Sequence, residues 1–468
     1  MKKSDVQKLI VTFLIGAAIW FCPAPAGLKP QAMHMVAVFV ATIVGFILNP
    51  LPIGALALIA VALSGFLGVQ KPAEALSGFG NATIWLIVSA FIFAKGFSKT
   101  GLGKRIAYVI MEKLGGSSLL LAYTMAITDV IIAPATPSNT ARGGGILFPI
   151  IRSLCSAFGS EPGESGKKIG RFLIASSFHV NCVTSSMFVT AVAPNLLCTV
   201  LAKQTIGYEI TWGQWALACS VPGIIAVILT PLLVYKIETP EIKNTPEAKD
   251  IARKELEAMG PMSAAEKVVT FVFLLALALW ATSSMTKLNA TMIAMVCIGI
   301  MLVFHAVEWN DVITEKGAWD TLFWMGGLMS LAGGLNKSGA IKWAAGVIGK
   351  SMNGMDGMMA LAILCVIYMY AHYLFASMSA HVAAMYAAFA AVAVACGAPA
   401  GLTAMSLAVI TGIMGSLTHY ATGTAPIFFG AGYLSQNEWW KIGFIVSVLS
   451  MIIFLGIGPI WWKVLGIW

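Results

Sequence analysis

The sequence predicts an all-α protein that crosses a membrane many times. Apolar residues make up 59% of the 468 residues and charged residues 10%, whereas soluble domains average about 45–50% and about 25%. The apolar residues lie in long blocks between short polar breaks, and several blocks reach the roughly 20 residues that a helix needs to cross a bilayer. So few charges cannot cover the surface of a soluble protein of this size. The composition therefore excludes a set of ordinary soluble domains.

About eleven of the apolar blocks are predicted to be transmembrane helices, and two longer blocks are predicted to be re-entrant hairpins. The hairpins, near 119–158 and 357–395, have small and polar residues at their middle. A chain that turns back there enters and leaves the membrane on one side. The predicted transmembrane helices are 9–21, 32–48, 51–69, 82–97, 171–200, 212–235, 267–285, 290–306, 319–336, 402–434 and 439–463.

The distribution of charge divides the chain and orients it. The stretch 237–266 is soluble-looking and has the mixed charges of a cytoplasmic linker; it separates a first half, 1–236, from a second half, 267–468. Cytoplasmic loops carry an excess of Lys and Arg, so the basic stretches around Lys104 and Lys168 place the N-terminus in the cytoplasm. An odd number of helices then places the C-terminus outside. The first hairpin is predicted to face the cytoplasm and the second to face outward.

Neither the positive charge nor the cysteines indicate a nucleic-acid-binding surface, a metal site or a disulfide framework. The formal net charge of +9 follows from the orientation rule, and the clustered basic and aromatic residues of a nucleic-acid surface are missing. The eight cysteines are scattered in apolar runs without a Cys-x-x-Cys pair, which indicates buried apolar residues. The sequence therefore predicts no cofactor, no bound metal and no nucleic-acid partner. The N-terminal apolar segment lacks a small-residue cleavage site and is predicted to be a retained first helix.

A short internal repeat relates the two halves. Residues 96–104 align with 334–342, and each segment ends an apolar block and precedes an amphipathic stretch and then a hairpin. The predicted topology places the first copy at the cytoplasmic side and the second at the outer side. Inverted repeats are typical of secondary transporters, which bind substrate near the membrane midplane where the repeats meet. A chance match of one nine-residue segment is the alternative.

Polar residues interrupt the middle of each predicted hairpin. Residues 136–145 of the first hairpin combine a proline, three glycines, hydroxyls and Arg142, and residues 376–381 of the second carry two serines and His381. Such backbone at membrane depth is tolerated only where it is buried in protein or lines a cavity. A new helix N-terminus at that depth favours an anion. The alternative for the first hairpin is a loop in the membrane interface.

A cation follows the first serine of each hairpin tip by four residues. Arg142 and His381 are therefore predicted to place positive charge on both sides of a central site. An intramembrane Arg costs at least about 2.5 kcal/mol, so it usually has a partner or faces a watery cavity. Asp129, in the descending arm of the first hairpin, is a candidate partner. For His381, a structural hydrogen bond and contact with a ligand are equal alternatives.

Two predicted helices are interrupted at corresponding positions after the hairpins. Residues 190–195 and 418–426 each contain proline, hydroxyls and small residues where an unbroken helix would be cheaper to form. Each is predicted to be a broken helix whose unwound turn faces a hairpin tip, with a simple proline kink as the alternative. The predicted substrate-binding residues at the four interruptions are Ser138, Asn139, Thr140, Arg142, Thr190, Pro194, Asn195, Ser377, Ser379, His381, Thr422, Gly423 and Thr424.

At these motifs the chain resembles the divalent anion:sodium symporter family, especially its branch of bacterial citrate/succinate and tartrate/succinate antiporters and plastid 2-oxoglutarate/malate translocators. The resemblance covers essentially the whole chain and is carried by 136–142, 186–190 with 193–195, 372–377 and 418–423. It implies a homodimer whose protomers each have a scaffold part and an elevator-like transport part. Carboxylates would be held between the two hairpin tips.

One departure from the family pattern concerns coupling to sodium. Met378 stands where sodium-coupled members have Asn, and a thioether is a poor ligand for a hard cation that prefers oxygen. The resemblance then implies that Arg142 and His381 supply the charge that sodium supplies elsewhere. The expected function is sodium-independent exchange of C4–C6 di- or tricarboxylates, such as citrate, succinate, malate, tartrate and 2-oxoglutarate, across a bacterial inner membrane.

Other functions remain as alternatives to exchange. A sodium- or proton-coupled carboxylate symporter would use the same site. A membrane-embedded enzyme or a channel is not expected. The sequence has no His-Glu-x-x-His metal motif, no Gly-x-Ser-x-Gly nucleophile motif and no four-fold pore repeat.

Overall fold

The computed structural model describes residues 3–341, 343, 346–347 and 356–468. About 79% of the structure is helical and these residues form no strand, so the predicted all-α class is confirmed. Lys342, the last residue of the predicted repeat, lies outside the described residues. Helices of ten or more residues are labelled here in chain order.

The first half and the linker contain α1 to α11. Shorter helical turns lie between them at Pro72–Ala75, Ser77–Gly80, Ala133–Ala135, Glu164–Lys167 and Val189–Ala191, and a π-helix covers Thr140–Leu147. The longer helices are α1 (Lys3–Trp20), α2 (Pro30–Leu48), α3 (Ile53–Phe66), α4 (Ala82–Thr100), α5 (Leu102–Leu114), α6 (Ser118–Ile132), α7 (Phe148–Ala157), α8 (Gly170–Met187), α9 (Ala193–Ile206), α10 (Trp212–Ile237) and α11 (Glu247–Met259).

The second half contains α12 to α18. Its shorter elements are Ser283–Thr286, Trp309–Ile313, Ala371–Leu374, Met414–Ser416 and Ala425–Phe429, and α18 continues through Ile453–Ile457 into Gly458–Val464. The longer helices are α12 (Ala264–Ala281), α13 (Ala290–Val303), α14 (Lys316–Lys337), α15 (Gly357–Tyr370), α16 (Met378–Ala395), α17 (Ala400–Ile413) and α18 (Gln436–Ile452).

The lengths and hydropathy of these helices suit a membrane. Eight segments within the described part of the chain are long and apolar enough to cross it, and three shorter apolar helices accompany them, at Ile53–Phe66, Ala290–Val303 and Ala400–Ser416. Three of the eight segments, Ser118–Ala135, Gly357–Leu374 and Met378–Ala395, are arms of the predicted hairpins. The chain is therefore a multi-pass membrane protein.

Both predicted hairpins are present as pairs of helices joined by a short non-helical tip. In the first, Thr136 is extended (φ −130°, ψ 98°), as expected for a residue before proline. The Ser138 hydroxyl then accepts a hydrogen bond from the Ala141 N–H at 3.1 Å. In the second, Ser377 is extended and its hydroxyl accepts from the Ala380 N–H at 3.3 Å, which caps α16. Serine therefore starts the returning arm in both hairpins.

Both predicted helix breaks are also present. After α8 ends at Met187, the chain makes a single turn at Val189–Ala191 and then begins α9 with Pro194 in its first turn. After α17, a turn at Met414–Ser416 leads through irregular backbone to Ala425–Phe429. Proline is tolerated in the first turn of a helix because those N–H groups have no intrahelical partner.

Helices from both halves pack in two groups. In the first group, α3 and α4 pack on α14, and α4 also packs on α13. In the second group, α8 and α9 pack on α17, and α9 also packs on α16. A close crossing in the second group lies at Gly412 of α17, which meets Ser186 of α8, and the Ser186 hydroxyl donates to the Val409 carbonyl oxygen at 2.8 Å. Small residues allow such close approach of membrane helices.

The linker contacts the start of the first hairpin. The Ser118 N–H donates to the Lys243 carbonyl at 3.0 Å, and the Thr245 N–H donates to the Gly116 carbonyl at 3.1 Å. The linker then forms α11, which packs on α5, where Arg253 pairs with Glu112 at 3.2 Å. The linker thus connects the amphipathic α5 with the base of the hairpin.

The crossing at Gly412 gives a test of the packing. In Gly412→Ala, the new Cβ would lie 2.6 Å from the Ser186 backbone nitrogen, which is far inside van der Waals contact. Overpacking of this kind costs about 1–3 kcal/mol, so we expect a lower melting temperature for the detergent-solubilised protein. Gly299→Ala in α13 is the control, because a Cβ there meets no atom within 4 Å. Equal melting temperatures for the two variants would contradict this packing.

Candidate functional site

The four polar interruptions surround one cavity of about 350 Å³. The first hairpin tip, the start of α9, the second hairpin tip and the irregular backbone after α17 all contribute to its wall, and α4 and α14 close the remaining side. The lining residues are Phe91, Pro137, Ser138, Asn139, Val192, Ala193, Pro194, Thr321, Trp324, Ala376, Ser377, Met378, Ser379, Thr422 and Gly423.

The predicted site residues divide into two sets. Seven line the cavity, namely Ser138, Asn139, Pro194, Ser377, Ser379, Thr422 and Gly423. The other six, Thr140, Arg142, Thr190, Asn195, His381 and Thr424, do not line it and make contacts behind the wall. The sequence therefore located the polar interruptions, and the structure separates their cavity-facing residues from their supporting residues.

The first hairpin tip is bound directly to the broken helix of the second half. The Asn139 amide donates to the Thr422 hydroxyl at 2.7 Å, and both side chains are buried. Gly423 lies so close to this tip that a Cβ there would be 2.5 Å from the Thr140 hydroxyl oxygen. A Cβ on Gly143 would be 2.8 Å from the Thr424 methyl carbon. These contacts join the first hairpin tip to the broken helix of the second half at the edge of the cavity.

The cavity wall is polar through the dipoles of neutral groups and not through charged side chains. Among the described residues that line it, none is charged. Its polar groups include the hydroxyls of the lining serines and threonines, the Asn139 amide and the N-terminus of α16. The first N–H groups of a helix have no intrahelical partner and carry partial positive charge. An anion is the ligand that such a wall stabilises.

Arg142 lies behind the wall in an internal ion pair. Its Nε donates to an Asp129 carboxylate oxygen at 2.9 Å, and both side chains are almost fully buried. The same guanidinium donates to the carbonyl oxygens of Thr136 and Ala191 and, at 3.2 Å, to the Ser185 hydroxyl. The expected pairing with Asp129 is confirmed. The charge-assisted bond expected from Arg142 to the substrate has no support here, because the guanidinium is turned into the protein.

Asp129 is itself held by the following helix. Its second carboxylate oxygen accepts from the Asn181 amide at 2.9 Å and from the Thr184 hydroxyl, both on α8. Charge-assisted bonds of this kind are stronger than neutral ones. Arg142 and Asp129 therefore tie the tip of the first hairpin, its descending arm, α8 and the turn after α8 into one unit.

Two further predicted residues support the first broken helix. The Asn195 amide donates to the carbonyl oxygens of Ser185 at 2.6 Å and Phe188 at 3.0 Å, across the break. The Thr190 hydroxyl donates to the Pro134 carbonyl at 2.6 Å and accepts from the Trp212 indole N–H at 3.0 Å. Both side chains are fully buried, so they satisfy the backbone that the break leaves unpaired.

His381 lies one turn beyond the second tip, in contact with another histidine. Its Nδ1 is 3.0 Å from the Nδ1 of His372, and both rings are buried. His372 contacts the Ala421 carbonyl oxygen through Nε2 at 2.9 Å. The two alternatives for His381 were a structural hydrogen bond and contact with a ligand, and the structure contains the hydrogen bond.

The residues on the far side of the cavity were not predicted. Phe91 belongs to α4, and Thr321 and Trp324 belong to α14 at helical i, i+3 spacing. These positions lack the combination of proline, glycine and hydroxyl residues that marks the four interruptions, although Asp320 precedes Thr321 and a glycine pair at 326–327 follows Trp324. Among the residues that the structure describes, no group of three His, Cys, Asp or Glu side chains is placed to hold a metal ion.

Comparisons with known proteins agree with the fold. The family described as the sodium:sulfate symporter transmembrane region matches residues 3–468. The putative malate transporter YflS of Bacillus subtilis is 50% identical over 470 residues, which cover 100% of this chain and 98% of that protein. The citrate/succinate antiporter of Escherichia coli is 37% identical over 488 residues, covering 100% and 99%.

A solved structure has a similar fold. The YdaH transporter of Alcanivorax borkumensis aligns with a TM-score of 0.57 over 99% of this chain and 97% of its own, at 13% identity, which indicates a likeness of fold alone. The family match and the identities confirm the resemblance predicted from the four motifs. The chain belongs to the sodium:sulfate symporter family, the divalent anion:sodium symporters, and is a membrane transporter and not an enzyme.

Proposed function

We propose that the protein exchanges C4–C6 di- or tricarboxylates across the membrane without sodium. The observation that carries this proposal is the cavity in which hydroxyls from both hairpin tips and the N-terminus of α16 converge. Its volume of about 350 Å³ falls at the lower end of the about 300–1,000 Å³ typical of small-molecule sites. Relatives named as a malate transporter and as a citrate/succinate antiporter support this class of substrate and this mode of transport.

The carboxylates would be bound by neutral donors. Ser138 on the first tip and Ser377 and Ser379 on the second all line the cavity. A substrate with a carboxylate at each end can therefore reach both tips at once. Hydrogen bonds to an ionised oxygen are stronger than bonds between neutral groups, so hydroxyl and backbone donors suffice to hold it.

The surroundings of Arg142 support independence from sodium. Carbonyl oxygens are the type of ligand that a hard cation takes, and here the carbonyls of Thr136 and Ala191 accept from the Arg142 guanidinium. Arg is protonated at all physiological pH values. A permanent cation thus holds the first tip to the first broken helix. A sodium- or proton-coupled symporter with the same site is the alternative function.

We further propose elevator-type transport between two parts of each protomer. The hairpins with α8, α9 and α17 would form the moving part, and α4 and α14 belong to the scaffold. The cavity lies between them, since Phe91 and Trp324 face the hairpin tips across it. Inverted repeats, a homodimer, a bacterial inner-membrane location, a cytoplasmic N-terminus and an external C-terminus complete this proposal. The same order of helix, hairpin, broken helix and final long helix in both halves supports the repeats.

Counterflow in proteoliposomes tests the exchange. We expect internal malate or succinate to accelerate uptake of labelled malate, citrate or 2-oxoglutarate several-fold in sodium-free buffer, because the loaded carrier returns faster than the empty one. Empty vesicles and vesicles without protein are the controls. Uptake that is unaffected by internal substrate but driven into empty vesicles by a sodium gradient would contradict exchange and favour the symporter.

The buried ion pair gives a second prediction. In Arg142→Ala, Asp129 would be left charged and unpaired in the core, which costs about 3–5 kcal/mol, so we expect loss of transport together with a lower melting temperature. Asp129→Asn combined with Arg142→Gln should recover part of the stability. Arg253→Ala is the control, because its ion pair with Glu112 is 58% and 36% exposed and such pairs contribute little. Normal uptake by Arg142→Ala would remove the pair from the transport machinery.

The contact between Gly423 and the first tip gives a third prediction. Gly423→Ala would place a methyl group 2.5 Å from the Thr140 hydroxyl oxygen and displace the tip from the broken helix. We expect the KM for malate uptake to rise several-fold while the melting temperature changes little. Gly145→Ala in the same hairpin is the matched control, since a Cβ there meets no atom within 4 Å. An unchanged KM in Gly423→Ala would show that this contact does not set the geometry of the cavity.

A further inference from the structure

The second hairpin contains a buried chain of two histidines and a backbone carbonyl. His372 lies just before the tip and His381 one turn after it, and both are fully buried. The chain runs from the Ala421 carbonyl oxygen to His372 Nε2 at 2.9 Å, and from His372 Nδ1 to His381 Nδ1 at 3.0 Å. His381 Nε2, at the far end, is buried and has no hydrogen-bond partner within the described residues.

The hydrogen-bond chain assigns the protons on both rings. A carbonyl oxygen only accepts, so His372 Nε2 carries hydrogen and, in the neutral ring, His372 Nδ1 is an acceptor. The contact between the two Nδ1 atoms then requires hydrogen on His381 Nδ1. Neutral His381 is left with a lone pair on Nε2 that nothing occupies. With its hydrogen bonds kept, the histidine pair can therefore bind one more proton, and the atom that would bind it is His381 Nε2.

Two aromatic rings pack against His381. The ring of Phe375 lies 4.7 Å from its centroid, and the ring of Tyr368 lies 4.5 Å away in a T-shaped arrangement. The face of an aromatic ring within about 6 Å attracts a cation through its quadrupole, which offsets part of the cost of a buried charge. A proton on Nε2 would also convert the bond between the two Nδ1 atoms into a charge-assisted one.

No charged side chain of the described residues forms an ion pair with either histidine. The titratable groups that face the pair are Tyr368 of α15, beside His381, and, through Tyr368, Cys365 on the same helix and Cys198 of α9. Tyr373, next to His372, is bonded through its backbone carbonyl to the Tyr420 hydroxyl at 2.9 Å. These groups are neutral thiols and phenols, so the charge that an added proton would meet is the substrate's own.

The histidine chain lies directly beneath the cavity wall. Ser377 and Ser379 line the cavity, and the His381 N–H donates to the Ser377 carbonyl at 3.1 Å, one turn of α16 away. At the other end of the chain, Ala421 immediately precedes Thr422 and Gly423, which also line the cavity. A charge on the pair therefore acts on both second-half walls of the site.

We propose that the His372–His381 pair is a proton-binding site that takes up one proton at His381 Nε2 when a dianionic substrate enters the cavity. This inference rests on the proposed carboxylate transport. Without substrate, burial disfavours the charged pair. With a dianion bound, a proton from solution occupies the free lone pair, no other bond changes, and the net negative charge of the loaded site falls by one. Proton and substrate each strengthen the binding of the other by the same factor.

Calorimetry of malate binding counts this proton. Titrations at about pH 6.5, within the ordinary range of histidine, are run in two buffers of different ionisation enthalpy, and the difference in heat gives the protons taken up per malate. Any proton taken up or released by malate itself contributes equally in every variant. The wild type is therefore expected to take up about one more proton per malate than His381→Gln. His34→Gln is the control, because His34 of α2 stacks on Trp20 with ring centroids 4.0 Å apart and does not line the cavity, and it should behave like the wild type.

A second measurement needs no substitution. In protein labelled with nitrogen-15 at its six histidines, malate at constant pH should move one resonance from the unprotonated to the protonated range, and His381 Nε2 is the expected atom. Malate binding without extra protons in the wild type, or without that change of resonance, overturns the proton site and leaves the proposed function standing. Absence of any heat with malate, citrate and succinate overturns the proposed function on which the proton site rests.

Discussion

Four helix breaks leave backbone N–H and C=O groups without partners in their own helices, and the site depends on satisfying them. In the first half, three side chains do so. Arg142 donates to two carbonyl oxygens, Asn195 to two more and Thr190 to one. The bonds to Pro134, Ser185 and Ala191 join segments that are separate in the chain. The groups that make the breaks tolerable are therefore also the groups that fix the hairpin tip against the broken helix.

The breaks were predictable from the sequence because their causes are local. Pro137 and Pro194 remove an N–H from their own backbone, and serine caps the returning arm in each hairpin wherever the rest of the chain lies. The direction of Arg142 was not predictable in this way. It depends on Asp129, 13 residues earlier on the opposite arm, which is held by Thr184, 55 residues further along. The sequence of the hairpin tip alone is compatible with an Arg142 side chain directed into the cavity and equally with one directed into the protein interior.

The far wall of the cavity shows a second limit of sequence patterns. Trp324 and Phe91 belong to apolar helices in which any large residue fits lipid, core or cavity equally well. Periodicity identifies the face of a helix, but it does not distinguish a face turned to lipid from a face turned to a cavity. The packing of α14 on α3 and α4 decides this, and that packing joins residues from both halves of the chain.

The polar wall of the cavity gives a physical reason why the transport part would move back slowly across the membrane without substrate. Without substrate, the hydroxyls of Ser138, Ser377 and Ser379 and the N-terminus of α16 would be hydrated. To pass the apolar Phe91 and Trp324, an empty cavity would have to lose that water without replacement, which is costly for buried polar groups. In the proposed mechanism, a dicarboxylate would replace the water with stronger bonds, and a proton on the histidine pair would reduce the charge that is moved. Exchange would then follow from desolvation at the wall, and a fixed net charge in the empty site would not be required.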